Sequence, residues 1–470
     1  MKPAASPAFD ADILIFGKIV TMDAQRHIIE DGAVAVKGRD IVAIGNRSEI
    51  SRDWHASRRL GGDAIVIPGM IDAHTHCTQC FVRSLTSNEL PMIPRIYNPA
   101  QQSLSEEEAG AAVRLLAAQL IRAGVTTMCE GTLNPAHEGP IVEALQQAGI
   151  RCVMARGAAD QDFHHAALYA QRTEKSWVKE RQGEAERDLM RSAEFLDRFP
   201  ARGPGLIRGG VNASALPGFS ETYFRGASAL ARERGASLHT HVSRDREEVE
   251  LSMSVWGKRP VERLADLGVL DEHFVAVHAV LASPREVRML GEAQASLVHS
   301  PIECVANLNA VADVQQFRYA GCGVALGCDI QANDMFANMR AGWLLHGALY
   351  GITRYDPEYL TAAELFSMTT IDAARVLRID DRTGSLEPGK AADIVVLDAN
   401  APHLMAAQDI ISDLVRYGTR AEIKDVLIDG RVVLEDGVHQ TIDLDRLKAE
   451  ALAGAKRVRD VVASRRYKPL

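Results

Sequence analysis

An apolar run that begins at Val66 ends in two histidines separated by one residue, His74 and His76. Side chains at positions i and i+2 lie on the same face of a β-strand, so the two imidazole rings converge on one point. A divalent cation is a common partner of such a pair. The alternative is that one histidine is hydrogen-bonded in the core while the other faces solvent, and the motif alone leaves both open.

From about residue 64 to residue 380 the chain alternates apolar strands with helical stretches, a pattern typical of parallel α/β folds. We predict eight strands here: Ile65–His74, Val125–Glu130, Arg151–Arg156, Ile207–Asn212, Ser237–Val242, Val275–His278, Ser296–Ser300 and Val324–Asp329. Eight strand-helix units over this length predict a TIM barrel, in which catalytic groups lie at the carboxyl ends of the strands.

Runs of β-branched residues bounded by turn residues occur at both ends of the chain, at 11–67, 384–398 and 423–433. The first of these runs is too short to bury both faces of a sheet. We therefore predict a small β-sandwich formed by the two chain ends, with the TIM barrel inserted. The predicted division is 1–67 for the first part of the sandwich, 68–380 for the barrel, 381–440 for the second part and 441–470 for a C-terminal helix.

Composition limits the class of partner. A net charge of -9 and a pI near 5.9 argue against nucleic acid or an anionic membrane, and favour a small-molecule substrate. No window has the apolar length of a signal peptide or a membrane span, so we expect a cytoplasmic protein. Seven cysteines, an odd number, indicate reduced thiols rather than a disulfide framework.

Further metal-binding side chains stand at the ends of later predicted strands. The fifth strand ends at His241, the sixth at His278, the seventh at His299 and the eighth at Asp329. The chain has only 15 histidines, so chance does not favour this placement. Because a barrel brings its strand ends together, the pattern favours a metal site over a core histidine.

These strand ends belong to the segments PGMIDAHTH, HTHVS, VAVHA, VHSP and LGCD, and GSLEPGKAADIVVLD and VLIDGRVV follow. Together they resemble the amidohydrolase superfamily, in its cytosine-deaminase-like branch that includes the atrazine and triazine hydrolases. The resemblance implies four metal ligands, His74, His76, His241 and Asp329. It implies His278 beside the metal as an acid-base or substrate-polarising group, while His239 matches a position that is normally structural.

The number of metal ions follows from a missing side chain. Binuclear members of the superfamily bridge two ions with a carboxylated lysine at the end of the fourth strand, and 207–213 contains no lysine. We therefore expect one ion, zinc or alternatively iron(II), with an open position for water. Such an ion lowers the pKa of bound water from 15.7 to roughly 7. Asp329 is then expected to take or orient the proton while His278 stabilises the oxyanion.

Position 244 departs from the family pattern. Deaminases of this branch usually carry a glutamate three residues after the fifth-strand ligand, where it shuttles protons, and this chain has Arg244. An arginine stays protonated and cannot shuttle protons. Arg244 is therefore expected either to bind a carboxylate or carbonyl of the substrate, or to pair with Glu247 or Glu248.

The segment after the seventh strand also departs, because Glu303 stands near the place where relatives commonly have a serine-asparagine pair. Glu303 is a candidate to replace the missing carboxylate, or a cap of the following helix. Glu130, His164 and His165 are further candidates, although a surface loop is the expected place of the two histidines. The expected substrate contacts are Arg244, His278, His299 and Glu303.

These features predict a mononuclear metal-dependent hydrolase of a non-peptide carbon-nitrogen bond. Hydrolytic deamination of a nitrogen heterocycle is the first choice, because most relatives carry it out. Hydrolysis of an amide, urea or carbamate, as in the phenylurea and molinate hydrolases, is the alternative because Arg244 removes the proton shuttle. A noncatalytic barrel scaffold is a third possibility, but such relatives typically lose ligands. The resemblance also implies a homo-oligomer, expected to be a dimer.

Overall fold

The computed structural model describes residues 9–85, 96–163 and 178–466. Two eight-stranded sheets hold most of its strands, one a parallel barrel and the other mixed. The strands are β1 (Phe9–Asp10), β2 (Ile13–Val20), β3 (Ile28–Lys37), β4 (Asp40–Asn46), β5 (Trp54–His55), β6 (Arg58–Pro68), β7 (Met70–Thr75), β8 (Val125–Leu133), β9 (Arg151–Arg156), β10 (Gln161–Phe163), β11 (Val178–Glu180), β12 (Ile207–Ala215), β13 (Leu238–Val242), β14 (Phe274–His278), β15 (Ser296–His299), β16 (Gly323–Leu326), β17 (Ile394–Asp398), β18 (Ile423–Ile428), β19 (Arg431–Glu435) and β20 (Val438–His439).

Helices separate the barrel strands, and a long helix follows the last strand. They are α1 (Arg47–Asp53), α2 (Asn98–Ser103), α3 (Glu106–Arg122), α4 (Glu138–Ala148), α5 (Glu184–Arg198), α6 (Glu221–Arg234), α7 (Arg246–Trp256), α8 (Pro260–Asp266), α9 (Pro284–Glu292), α10 (Pro301–Glu303), α11 (Val314–Ala320), α12 (Met335–His346), α13 (Ile352–Arg354), α14 (Ala362–Ser367), α15 (Ile371–Val376), α16 (Ile410–Tyr417) and α17 (Leu444–Arg466). Across the described residues, every helix is too short or too polar to cross a bilayer.

The barrel sheet runs β7-β8-β9-β12-β13-β14-β15-β16, with each strand parallel to its neighbours. The last strand returns to the first through a bridge between Thr75 and Asp329, where the Asp329 N–H donates to the carbonyl oxygen of His74 at 2.8 Å. The predicted (β/α)8 barrel is therefore confirmed. Its closure places Asp329 beside His74.

One end of the barrel is filled by apolar side chains. Residues of the barrel strands such as Ile71 and Val275 share a core cluster with Ala373 and Val376 of α15. The Ile71 N–H, at the start of β7, donates to the carbonyl oxygen of Thr369 at 2.7 Å, so α15 lies at the amino ends of the strands. The open end is consequently the carboxyl end, where TIM barrels bind substrates.

The second sheet joins both ends of the chain in the order β20-β19-β18-β17-β6-β2-β3-β4. Strand β17 pairs antiparallel with β6, so the prediction that the two chain ends combine in one β unit is confirmed. Buried side chains from both ends, including Ile15, Val34, Val396 and Leu427, form one core. Neither end could bury this core alone.

The prediction of Ile65–His74 as one barrel strand is wrong, because this segment forms parts of two strands. The strand is interrupted at Gly69. Strand β6 before it belongs to the mixed sheet, and β7 after it is the first strand of the barrel. A Cβ at Gly69 would lie 2.0 Å from Oγ1 of Thr126, which explains why a glycine stands at this junction. The apolar run continues through the break, and its composition therefore gave no sign of it.

Candidate metal centre

Five side chains meet at the carboxyl end of the barrel, and all are at most 8% exposed. Each comes from the end of a barrel strand or from the residues directly after it, as the sequence pattern predicted. They are His74 and His76 from β7, His241 from β13, His278 from β14 and Asp329 after β16. The structure thus brings together all five residues on which the metal hypothesis depends.

The ligand atoms lie close enough to share one cation. Those of His74, His76 and His241 all fall within 4.8 Å of one another, as do those of His74, His278 and Asp329. Nε2 of His74 is 3.7 Å from Oδ2 of Asp329, and Nε2 of His76 is 3.6 Å from Oδ1. A carboxylate and three imidazoles of this kind form a donor set for zinc or iron(II).

The protonation of the imidazoles fits a metal site. Nδ1 of His241 lies 2.9 Å from the carbonyl oxygen of Ser214, which can only accept, so Nδ1 carries the proton. Burial, together with the neighbouring imidazoles, holds the pKa of His241 and of His74 well below the ordinary value, which keeps both rings neutral. The bare Nε2 of His241 then faces Nε2 of His74 at 3.2 Å, an arrangement that a cation between them would satisfy.

A second layer of contacts orients the ring of His76. Its Nδ1 lies 2.8 Å from Oγ1 of Thr132, and Glu130 accepts hydrogen bonds from the N–H groups of Thr132 and Cys77. Such partners fix the ring orientation of a metal-binding histidine. Glu130 was a candidate from the sequence, whereas Thr132 was missed because a threonine at a strand end carries no distinctive signal.

Asp72 ties the first and last strands together beneath the cluster. Oδ1 accepts hydrogen bonds from the N–H groups of His74 at 3.3 Å and Cys328 at 2.8 Å. Burial raises the pKa of this carboxyl group to about 7. Backbone strain lies on the same strand ends, since His278 and Asp329 adopt φ values of 69° and 53°. Non-glycine residues take such values mainly where the surroundings enforce them.

His278 completes the cluster beside the carboxylate. Its Nε2 lies 3.2 Å from Oδ2 of Asp329. Burial would raise the pKa of Asp329, but the hydrogen bond from His278 and the nearby His76 hold it below the ordinary value. Asp329 is therefore an anion at neutral pH, and it can accept a proton from a reacting group.

A cavity of about 880 Å³ opens above the cluster and is lined by His76, His241, His278 and Asp329. The walls combine apolar side chains such as Leu133 and Phe219 with polar ones such as Asn98 and Asn212. A cavity of this size lies in the range of pockets that bind small molecules.

Arg244 and Glu303 both line this cavity. The Nε of Arg244 donates to Oδ2 of Asp245 at 2.8 Å, so its ion pair is with the adjacent aspartate instead of Glu247 or Glu248. Glu248 instead accepts the backbone N–H of Arg244 at 2.9 Å. Glu303 accepts a hydrogen bond from the side chain of Asn307.

The remaining histidines lie elsewhere. His299 is fully buried, its ring centroid is 5.1 Å from that of His346, and it is not among the described residues that line the cavity. His239 is buried 3.0 Å from Oγ of Ser237, in the core as expected, and burial lowers its pKa to about 4. His164 and His165 lie outside the described residues.

Comparison with known proteins agrees with the fold and the site. Residues 65–433 match the model of the amidohydrolase family. A 5-methylthioadenosine/S-adenosylhomocysteine deaminase of Syntrophobacter fumaroxidans is 30% identical over 443 residues, which cover 93% of this chain and 95% of the relative. A zinc-bound adenosine deaminase from Xanthomonas campestris superposes with a TM-score of 0.85 at 25% identity, covering 97% of this chain and 100% of that one. The atrazine chlorohydrolase TrzN from Arthrobacter aurescens, complexed with zinc, shares the fold with a TM-score of 0.82 at 22% identity, covering 94% and 100%.

Proposed function

The chain belongs to the amidohydrolase family, and we propose that it hydrolyses the exocyclic amino group of a nitrogen heterocycle. The predicted class, a metal-dependent hydrolase of a non-peptide carbon-nitrogen bond with a small-molecule substrate, is confirmed at this level. The observation that carries the proposal is the buried set of three imidazoles and one carboxylate beneath a cavity of small-molecule size. We further propose an aminopurine nucleoside as substrate, since the relatives are named for such compounds.

We assign His74, His76, His241 and Asp329 as ligands of one divalent ion, with zinc as the first candidate because the Xanthomonas relative binds it. The absence of a lysine in β12 supports a single ion, since a bridging residue for a second one is missing there. When bound, the ion acts as a Lewis acid that lowers the pKa of water toward neutrality.

The protein side chains handle the protons and the developing charge. Asp329 is an anion whose oxygens face the cavity side of the cluster, so it accepts a proton from the attacking water and passes it to the departing amino group. His278, whose Nε2 is 3.2 Å from Asp329, is placed to hydrogen-bond the attacking water or the substrate and to stabilise the charge that develops during attack. The buried cluster excludes bulk water from these groups.

Ammonia release by the metal-replete protein tests this proposal. The panel contains 5-methylthioadenosine, S-adenosylhomocysteine, adenosine, cytosine and guanine, each incubated with the wild-type protein and with D329N, which keeps the size of the side chain. We expect wild-type protein to release ammonia from at least one aminopurine nucleoside and D329N to release none above background. A metal-replete wild-type protein that releases no ammonia from any of the five would contradict the proposal.

A second candidate function is supported by Arg244. Because this arginine faces the cavity and stays charged, it fits the carbonyl or carboxylate of an amide, urea or carbamate. Aryl ureas and S-alkyl carbamates incubated with the same preparations distinguish the two functions. Release of an amine from these compounds, with no ammonia from the heterocycles, would replace the first proposal by the second.

A further inference from the structure

Glu303 is a buried carboxyl group that lies outside the four proposed metal ligands. It ends α10 and leads directly into a π-helical turn, Cys304–Leu308. We propose that Glu303 contacts the substrate and supplies the carboxyl group that the family pattern expects at position 244. This inference rests on the proposed deaminase function.

The surroundings of Glu303 leave one oxygen available to a ligand. The side chain is 4% exposed, and its Oε1 accepts a hydrogen bond from Nδ2 of Asn307. Oε2 is buried and has no hydrogen-bond partner among the described residues. Buried polar atoms are almost always paired in native proteins, so an unpaired one in a cavity wall indicates a missing partner. The π-helical turn also agrees with a functional role, because such turns are frequent at functional sites.

Glu303 does not act as a helix cap, which was the alternative from the sequence. It is the last residue of α10, and its Oε1 is hydrogen-bonded to the side chain of Asn307 four residues later. Both side chains line the cavity that also contains His278 and Asp329. The loop after β15 therefore contributes a carboxyl group to the wall of the cavity.

The charge environment favours a proton on Glu303. Burial, together with the negative charge of Asp329, raises the pKa of this carboxyl group well above its ordinary value. A protonated carboxyl group can donate a hydrogen bond to a ring nitrogen.

The side chains near position 244 are less suited to this role. Arg244 stays protonated and is paired with Asp245. Glu248 also lines the cavity and has an unpaired Oε1 among the described residues, but its Oε2 accepts the backbone N–H of Arg244, which ties the side chain to its own loop.

The proposed step balances for an aminated ring. Water adds to the carbon that carries the amino group while Oε2 of Glu303 donates its proton to the adjacent ring nitrogen. The first water proton reaches the amino group through Asp329, the carbon-nitrogen bond breaks, and ammonia leaves. The hydroxyl proton of the adduct returns to Glu303 as the carbon-oxygen double bond forms. One water and one aminated ring give one oxo ring and one ammonia, and both carboxyl groups recover their starting state.

Two kinds of variant test the proposal: one removes the carboxyl group of Glu303, and the other moves a carboxyl group to position 244. Each is assayed with the heterocycle that the wild-type holoenzyme deaminates fastest. We expect E303Q to lower kcat by about 10²- to 10³-fold, with metal content and melting temperature unchanged. The matched control is E286Q, a second buried glutamate that is not among the described residues lining the cavity, for which we expect kcat within about threefold of wild type. In the double variant E303A/R244E, which places a carboxyl group where relatives carry it, kcat should exceed that of E303A by at least about tenfold.

If Glu303 had a purely structural role, a carboxyl group at position 244 would not restore the activity lost in E303A. The inference is overturned if E303Q keeps kcat within about threefold of wild type, or if E303A/R244E is no more active than E303A. Should E303Q fail to fold, the comparison between E303A and the double variant decides alone. If the wild-type holoenzyme deaminates no heterocycle, the proposed function fails instead, so the two failures are distinguishable.

Discussion

The two sides of the cavity differ in how closely they follow the family pattern. The metal side, formed by the ends of β7, β13, β14 and β16, keeps every residue that the resemblance implies, and the structure brings them within hydrogen-bonding or ligand distance. The substrate side, formed by the loops after β13 and β15, carries Arg244 and Glu303, which depart from the pattern that the resemblance implies. The difference indicates that metal-assisted hydrolysis is retained while the contacts to the substrate have changed.

The largest effect is expected on the metal side. In H241A the cluster loses a neutral imidazole donor, so we expect metal content to fall far below one ion per chain and activity to fall by more than about 10⁴-fold. Elemental analysis and ammonia release measure both. The matched control is H239N, two residues earlier on the same strand, which should keep its metal because its side chain contacts Ser237 and Cys129. Equal metal loss in the two variants would remove the distinction between ligand and core histidine.

A smaller effect is expected from H278N. Because His278 is placed to stabilise charge without belonging to the proposed ligand set, kcat should fall by about 10²- to 10³-fold while metal content stays unchanged. Steady-state kinetics with metal analysis on the same preparation measure this. Loss of the metal from H278N would instead make His278 a ligand.

The second layer should show an intermediate effect on metal affinity. T132V removes the hydroxyl group that lies 2.8 Å from Nδ1 of His76 while keeping the shape of the side chain. We expect metal affinity to fall by about 10- to 100-fold, measured by competition with a chelator. An unchanged affinity would contradict this role of Thr132.

The substrate side should respond in KM more than in kcat. If Arg244 binds a carbonyl or carboxylate of the substrate, R244Q should raise KM by about tenfold with little change in kcat. The matched control is R246Q, two residues later, whose arginine is exposed and paired with Glu250. An R244Q enzyme with unchanged KM for every substrate would show that Arg244 serves only its pair with Asp245.

The smallest effect concerns stability. Burial raises the pKa of Glu248 to about 8, above its value in the unfolded chain, so the native state binds this proton more tightly. Stability is then greatest below the unfolded pKa and declines as the pH rises toward 8. We expect E248Q to remove this decline, so that its free energy of unfolding gains on that of wild type between pH 5 and pH 9, measured by urea unfolding. If the free energy of unfolding depends on pH in the same way in both proteins, the raised pKa of Glu248 is contradicted.

The sequence predicted the barrel and the cluster because both depend on simple periodic signals. Apolar strands at regular spacing indicated the (β/α)8 fold, and ligand-type residues at strand ends indicated which side chains meet. The change from β6 to β7 at Gly69 was missed, because the apolar run continues through it. The roles of Thr132 and the Ser214 carbonyl were missed because backbone geometry selects them.

Several predictions stay predictions. The boundaries at 67, 380 and 440 and the dimer are among them, as is the contact of His299 with substrate. The substrate side was the hardest to predict, since its residues lie in loops whose path depends on tertiary packing. The π-helical turn that joins Glu303 to Asn307 is one such case, and no local sequence signal distinguishes it from an α-helix.

Metal titration of the apoprotein tests the central claim most directly. Protein stripped by a chelator is supplied with zinc in small steps, and ammonia release is followed after each addition. We predict no turnover in the stripped protein and a linear return of activity that ends at one zinc per chain, with no return in H241A. Full turnover by the stripped protein, or a return that requires two ions, would contradict a single catalytic ion held by His74, His76, His241 and Asp329.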